Sequence, residues 1–320
     1  MNIETKQATL DQLSSHGVVT DLARLLKSRY WAQGLSLFSP LAARNMTLGN
    51  VRSRFRGRGM EFEEVRRYQP GDDIRTIDWK VSARADGTYT KLFCEERERP
   101  CHIMVDQRSH LFFGSNTRFK SVLAAELAAA LCWSALAGGD RVGGQVLGNL
   151  LSRDTRARRS KQAALGFIHD LHELNTELAD ISDKQDSEPP VGATNLATSL
   201  EECRRITRPG TAIFIISDFH DFDQAAAKAL RNLAKNTDIS LFQVSDALEE
   251  KLPISGNVSI SDGQHSSRVR VSKRVQADYL EQRQQRQLDL KSSANRARAP
   301  LIKVDTAESV RSTLNKLFSR

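Results

Sequence analysis

The sequence predicts an α/β fold built on a mostly parallel sheet. Three apolar runs without charged residues, at 102–105, 212–216 and 239–244, are typical of strands buried on both faces of a sheet. Segments of helical periodicity with ten or more residues separate them, and helices of that length connect parallel strands across the faces of a sheet. The alternation of the two patterns over the last two thirds of the chain indicates helices on both sides.

Before residue 100, leucine and valine at helical spacing predict a helix over 8–30, and alternation predicts a strand over 89–93. Between them, Pro70 and Gly71 indicate a turn, because proline presets φ and glycine accepts positive φ. After residue 100, the predicted strands are 102–105, 142–147, 212–216, 239–244 and 301–304. The predicted helices are 118–136, 162–178, 195–206, 224–235, 273–298 and 309–318. A polar loop is predicted at 182–191, and a hairpin from 258–260 to 268–271.

Composition bounds the class of protein. The 47 lysines and arginines exceed the 39 acidic residues by eight, and the excess lies in the arginines of 52–58, in 153–161 and in 268–298. Aromatic residues are not interleaved with these runs, which argues against single-stranded nucleic acid as the partner. Cys94, Cys101, Cys132 and Cys203 form no CxxC pair, so free thiols are expected.

Membrane and export signals are weak in this sequence. The most apolar stretch, 123–139, carries Glu126 and predicts a buried amphipathic helix rather than a membrane span. The first residues lack a basic segment leading into an apolar one, so no signal peptide is predicted. We therefore expect a cytoplasmic protein without a membrane span.

Two acidic residues follow buried strands, and these mark the candidate site. Asp106 follows one predicted strand and Asp218 another, and ligands of open parallel sheets bind outside the carboxyl ends of strands. Thr194 precedes a predicted helix and could place a hydroxyl nearby. The alternative is that Asp218 and Thr194 only cap the helices that follow them.

A motif-rich segment precedes the α/β region, and it carries a family resemblance. It comprises Gly59-Met60-Glu61-Phe62, Arg66-Arg67-Tyr68, Pro70-Gly71-Asp72-Asp73, Arg75, Ile77-Asp78-Trp79 and Ser82-Ala83-Arg84, and Gly139-Asp140-Arg141-Val142-Gly143 follows later. With these residues the chain resembles the domain of unknown function 58 family over roughly residues 50–245. The resemblance implies a von Willebrand factor A-like fold for the α/β part. We therefore predict a three-layer A-like domain over 98–320, preceded by an N-terminal helical segment (1–37) and a small β-rich subdomain (38–97). It also implies a partnership with a MoxR-type AAA+ ATPase.

The same resemblance implies a metal site, from which this sequence departs. The A-domain site would use Asp106, two serines at alternate positions after it, Thr194 and Asp218, but Arg108 and His110 occupy the serine positions. Arginine offers no acceptor and brings its own charge, which argues against a Mg²⁺-type site. Our hypothesis is that Arg108 replaces the ion by pairing with Asp106 or Asp218. The alternative is a decayed loop with Arg108 exposed.

Function is expected to rest on binding rather than catalysis. No phosphate loop, HExxH or GxSxG motif occurs, and His169 and His172 lack a third ligand at metal-binding spacing. The mixed charges of the motif segment predict a paired network that fixes its turns, with Trp79 packed inside; the alternative is a docking surface. We therefore expect a non-enzymatic adaptor for the ATPase, with no cofactor. Two alternatives are a nucleic-acid binder using helix 273–298 and a metal-dependent hydrolase using Asp106, Asp218 and His220.

Overall fold

The computed structural model describes residues 17–38, 61–70, 72–85, 87–94, 100–182, 194–250, 256–261 and 266–318. The strands are β1 (Glu61–Arg67), β2 (Tyr89–Cys94), β3 (Pro100–Asp106), β4 (Arg141–Leu147), β5 (Ser152–Arg158), β6 (Ala212–Ser217), β7 (Asp238–Ser245), β8 (Gly256–Ser261), β9 (Ser266–Val271) and β10 (Leu301–Asp305). The helices are α1 (Leu22–Lys27), α2 (Arg29–Ala32), α3 (Trp79–Ser82), α4 (Lys120–Ala137), α5 (Lys161–Ser182), α6 (Leu196–Ile206), α7 (Gln224–Leu233), α8 (Ala247–Glu250), α9 (Lys273–Ala297) and α10 (Val310–Phe318).

Six strands form one sheet in the order β10-β7-β6-β3-β4-β5, with every neighbouring pair parallel except β4 and β5. The chain winds from β3 to β4 and β5 on one side, and then returns to β6, β7 and β10 on the other. The direction of winding therefore reverses at β3, where an open α/β sheet forms its crevice. The predicted α/β class with a mostly parallel sheet is confirmed, and so is the predicted β8–β9 hairpin.

Strand β5 is absent from the sequence prediction, which treated its arginines as part of a basic run. Its sequence, SRDTRAR, has no alternation of apolar and polar residues, and its residues are half-buried or exposed. An edge strand has a neighbour on one side alone, and charged side chains there keep the edge from pairing with other chains. Apolar patterning therefore fails at this position because the strand buries little surface.

Helix α4 is buried on nearly every side, so the predicted amphipathic character is wrong. Sixteen of its eighteen residues are buried, from Lys120 to Ala135, between the sheet and helices α1, α2 and α5. Glu126 is tolerated there because Arg118 and Arg24 lie 2.8 Å and 2.9 Å from its carboxylate oxygens. Within the described residues, α4 is the helix long and apolar enough to span a membrane, and 89% of that stretch is buried in the protein.

The described N-terminal residues form two short helices instead of the single helix predicted over 8–30, whose first part lies outside the described residues. Asp21 accepts a hydrogen bond from the Ala23 amide at 2.8 Å, and this cap begins α1 at Leu22. The segment packs on the sheet domain, since the Trp133 indole donates to the Leu25 carbonyl at 3.2 Å. The Ser36 amide likewise donates to the Phe318 carbonyl at 2.9 Å.

Residues 55–99 form one unit, and residues 1–54 together with 100–320 form the other. The boundaries predicted at 38 and 98 stay predictions, because residues 39–60 and 95–99 lie outside the described part of the chain. The polar loop predicted at 182–191 also lies almost wholly outside it.

The smaller unit is an antiparallel hairpin of β1 and β2 with a 3-10 turn and α3 between them. Arg66 pairs with Asp72 at 2.7 Å, while Asp73 and Asp78 cap the 3-10 turn and α3. These contacts match the predicted charge network. Trp79 does not pack inside, however: it is 69% exposed at the start of the one-turn helix α3.

Candidate functional site

The carboxyl ends of β3 and β6 bring the predicted acidic residues together. The two strands are parallel neighbours, with Val105 opposite Ile216, so Asp106 and Asp218 extend from the same edge. One ligand atom from each of Asp106, His110 and Asp218 lies within 4.8 Å of the others. We call the following cluster the charged crevice: Asp106, Arg108, His110, Lys120, Asp218 and Asp221.

Arg108 lies inside the crevice and not in solvent. Its side chain is 6% exposed, and its Nε and Nη2 donate to the two oxygens of Asp106 at 2.9 Å and 2.6 Å. Its Nη1 and Nη2 also donate to Asp221, at 2.5 Å and 3.0 Å. The hypothesised pairing with Asp106 is therefore present, whereas the second carboxylate is that of Asp221 and not that of Asp218.

Asp218 pairs with a lysine that sequence reasoning missed. Lys120, in the first turn of α4, places its Nζ 2.8 Å from Asp218 Oδ2 and 2.5 Å from Glu249 Oε1, with 2% of its side chain exposed. Burial raises the pKa of Asp218, but His110 and Lys120 outweigh it and hold that pKa well below its usual range. The sequence did contain a signal for this pairing. Lys120 begins a helix that is too apolar to lie on the surface, so a lysine there has to be buried with an acidic partner.

His110 supplies the third positive charge. Its Nε2 lies 3.2 Å from Asp218 Oδ1 and 3.3 Å from Asp106 Oδ2, and its ring stacks on that of His220 with 5.5 Å between centroids. Burial lowers the pKa of His110, but the carboxylates of Asp218 and Asp106 outweigh it and raise the pKa to about 10. The imidazole is therefore protonated at neutral pH, and the two acids share it.

Thr194 takes part through its main chain and not through its hydroxyl. The hydroxyl donates to the Gly148 carbonyl, while the Thr194 carbonyl accepts from Arg108 Nη1 at 3.3 Å. The alternative prediction, that Thr194 and Asp218 only cap the helices that follow them, is wrong for both residues. Asn195 caps α6 through the Thr198 amide at 2.9 Å, and Asp223 caps α7 through the Ala226 amide at 2.7 Å.

The donor set does not fit an oxygen-coordinated divalent cation. Asp106 Oδ1 accepts from the Arg108 amide and Nε, and Oδ2 accepts from Arg108 Nη2 and from the Ser217 hydroxyl at 2.7 Å. Four donors fill the four lone-pair positions of that carboxylate, and two permanent cations, Arg108 and Lys120, lie beside the acids. A metal would have to displace these contacts, which argues equally against the hydrolase based on Asp106, Asp218 and His220.

The remaining chemistry-bearing residues of the sequence lie apart from the crevice. His172 Nδ1 is 2.8 Å from the Thr20 hydroxyl, and His169 pairs with Glu173, so these two histidines have separate partners. Cys101, Cys132 and Cys203 are buried free thiols, as predicted. On the predicted basic helix, Arg283 donates to the Glu249 carbonyl beside the crevice.

Comparison with known proteins places the chain among uncharacterised relatives. The family model described as "Protein of unknown function DUF58" matches residues 64–289. An uncharacterised protein of Mycobacterium bovis and one of Mycobacterium tuberculosis are each 29% identical over 209 residues, which is 65% of this chain. The chain spans 62% of the length of these relatives.

Two solved structures are similar at a low level. One is described as the conserved hypothetical protein BatB from Bacteroides thetaiotaomicron, with a TM-score of 0.43 and 14% identity over 68% of this chain and 95% of that one. The other is proximal thread matrix protein 1 from the mussel byssus, with a TM-score of 0.32 and 10% identity over 46% of this chain and 37% of that one. Both TM-scores are below 0.5, a level at which no fold is assigned.

Proposed function

This chain belongs to the DUF58 family of proteins of unknown function, and we propose that it is a non-enzymatic protein–protein adaptor. Its partner is a MoxR-type AAA+ ATPase, and the pair assembles or remodels a client complex. The proposal includes a von Willebrand factor A-like identity for the larger unit, supported by a parallel sheet whose winding reverses at β3 and by Asp106 at the end of that strand.

The buried guanidinium of Arg108 carries the proposal. In an A-like domain this position belongs to a metal ion, and here a side chain of the protein holds Asp106 and Asp221 in its place. A permanently charged group needs neither loading nor release, so the crevice is set in one geometry before any partner arrives. Preorganised surfaces lose less conformational freedom on binding, which favours a docking role.

Contacts inside the crevice do not resemble an activated nucleophile. The Ser217 hydroxyl donates to Asp106 Oδ2 and accepts from the Phe219 amide at 3.0 Å, so its proton is held by a carboxylate, and no imidazole among the described residues is hydrogen-bonded to it. His110 is held protonated between two acids, which removes it as a general base at neutral pH. Recognition is the chemistry that remains.

The rim of the crevice offers the contact surface. His220 is exposed and stacks over His110, and the Asp221 side chain is 29% exposed while its partner Arg108 is buried. A rim of this kind can hydrogen-bond and pair with a partner without opening the network beneath it. Electrostatic complementarity at such rims sets specificity and association rate.

A pull-down with matched variants tests the proposal. Tagged full-length chain captures proteins from native lysate with a non-hydrolysable ATP analogue, and mass spectrometry identifies them. The variants are His220→Glu at the crevice rim and Trp79→Ala on the small unit, where an exposed tryptophan could anchor a partner. Arg231→Ala, an exposed arginine on α7, is the control.

We expect an AAA+ ATPase bound by the wild type and by Arg231→Ala, and reduced about tenfold by His220→Glu. Loss in Trp79→Ala alone would keep the adaptor role and move its docking surface to the small unit. If no AAA+ ATPase is captured by the wild type, and a purified MoxR-type ATPase from the same organism also fails to bind, the adaptor proposal is wrong.

A further inference from the structure

A second polar site lies at the opposite end of the sheet from the charged crevice. Here the amino ends of β3, β4 and β6 and the middle of β5 surround a cavity of about 510 Å³. We call it the amino-end cavity. The residues that characterise it are His102, Arg141, Thr155, Arg156, Ile206 and Arg208. Its volume lies within the ~300–1,000 Å³ that small-molecule sites occupy.

The β4–β5 register shifts beside this cavity, between Val142 and Gly144. A Cβ at Gly143 would lie 2.4 Å from the Ala157 nitrogen, so glycine is needed for the two strands to approach this closely. Gly143 is the partner of His102 on β3, and Ala157 lines the cavity. The backbone of β5 therefore lies tightly against β4 at this wall.

The cavity carries an excess of positive charge that the protein does not neutralise. Arg141, Arg156 and Arg208 are exposed, and within the described part of the chain no carboxylate lies within 4.0 Å of their guanidinium nitrogens. The residues lining the cavity include one acid, Asp154. Three cations against one anion leave two positive charges, which matches a phosphate dianion. Guanidinium groups bind phosphate oxygens in pairs, and more strongly than neutral donors do.

His102 forms part of the cavity lining and is unsatisfied. It is 4% exposed, and its Nε2 is buried without a hydrogen-bond partner among the described residues. Buried polar side-chain atoms nearly always have a partner, so this nitrogen marks an unusual polar group behind the cavity wall. Burial lowers the pKa of His102 to about 4, so the ring is neutral and adds no positive charge to the cavity.

We infer that the amino-end cavity binds an organic phosphate of about mononucleotide size. The three arginines hold the phosphate, and the organic part lies along the wall that includes His102 and Ile206. Inorganic phosphate would fill a small share of the volume, whereas Ile206, 51% exposed at the wall, offers an apolar surface to a ring or chain. The site is independent of the charged crevice and of the adaptor proposal.

Calorimetric titration of the full chain tests this site at fixed ionic strength. The probes are adenosine 5′-monophosphate, ribose 5-phosphate, adenosine and inorganic phosphate. Arg156→Ala combined with Arg208→Ala removes two of the arginines, and Arg231→Ala removes an equally exposed arginine elsewhere. Thermal unfolding of each variant confirms that it is folded.

We expect saturable binding of at least one organic phosphate, weakened about tenfold or more in the double variant and unchanged in Arg231→Ala. Adenosine and inorganic phosphate should each bind at least about tenfold more weakly. The inference is overturned if neither organic phosphate binds at about 5 mM. Binding unaffected by the double variant, or equally strong for inorganic phosphate, would overturn it as well.

Discussion

Strand β3 carries a different kind of polar site at each of its ends. At the carboxyl end, Asp106 is fully paired, and the acids and bases of the charged crevice neutralise one another within hydrogen-bonding distance. At the amino end, His102 has an orphaned nitrogen, and the arginines nearby have no acidic partner among the described residues. The comparison separates a cluster whose opposite charges pair within the protein from one whose arginines have no acidic partner among the described residues.

The two ends of β3 also differ in the pKa of a buried histidine. His110 lies between carboxylates that raise its pKa to about 10, whereas burial without a neighbouring carboxylate lowers the pKa of His102 to about 4. Burial acts on both rings in the same direction, so the neighbouring charges decide the outcome. Charge and stability should therefore respond to pH in opposite ways at the two ends of the strand.

The largest expected effect comes from breaking the crevice. Asp106→Ala leaves Arg108 buried with half of its carboxylate contacts, and removing one partner of a buried pair costs about 3–5 kcal/mol. Urea unfolding at neutral pH measures this loss. Asp154→Ala, in the wall of the amino-end cavity, is the matched control and should change the free energy of unfolding by less than about 0.5 kcal/mol. Equal losses in the two variants would contradict the comparison.

The next effect is the pH dependence that His110 adds. Its folded pKa lies above the unfolded value near 6.5, so its contribution is complete below about pH 6.5 and is lost as the pH rises toward 10. Between about pH 7 and 9, the wild type should lose about 2–3 kcal/mol more than His110→Gln, because one bound proton gives at most about 1.4 kcal/mol per pH unit. Parallel urea titrations measure the difference. Identical slopes would mean that His110 is not held protonated.

The smallest effect belongs to His102 and has the opposite sign. The pKa of His102 is lower in the folded protein than in the unfolded chain. Below about pH 6.5 the unfolded chain therefore binds a proton at His102 that the folded protein does not bind, and the wild type loses stability as the pH falls. His102→Phe keeps a ring of similar size and should be about 1–2 kcal/mol more stable relative to the wild type at pH 5 than at pH 7. Unfolding at the two pH values checks this, and an unchanged difference would contradict the neutral state of His102.

Much of the fold could be predicted because apolar patterning reports burial directly. The strands at 102–105, 212–216 and 239–244 were predicted from largely apolar runs, and the structure places them side by side in β3, β6 and β7. Patterning failed for β5, whose edge position buries little. It located α4 correctly but predicted an amphipathic helix, whereas α4 is buried on nearly every side. Trp79 was placed inside by its residue type, although a one-turn helix leaves it exposed.

The sequence by itself determined the α/β class, the two acids at strand ends and the presence of arginine at position 108, because these depend on residue type and local order. Tertiary structure alone decided which charged side chains form pairs. Lys120 reaches Asp218 across 98 positions and Arg108 reaches Asp221 across 113. Such partners depend on which strands become neighbours and where helices pack on them. The same is true of the amino-end cavity, since the fold brings together Arg141, Arg156 and Arg208, which are far apart in the chain.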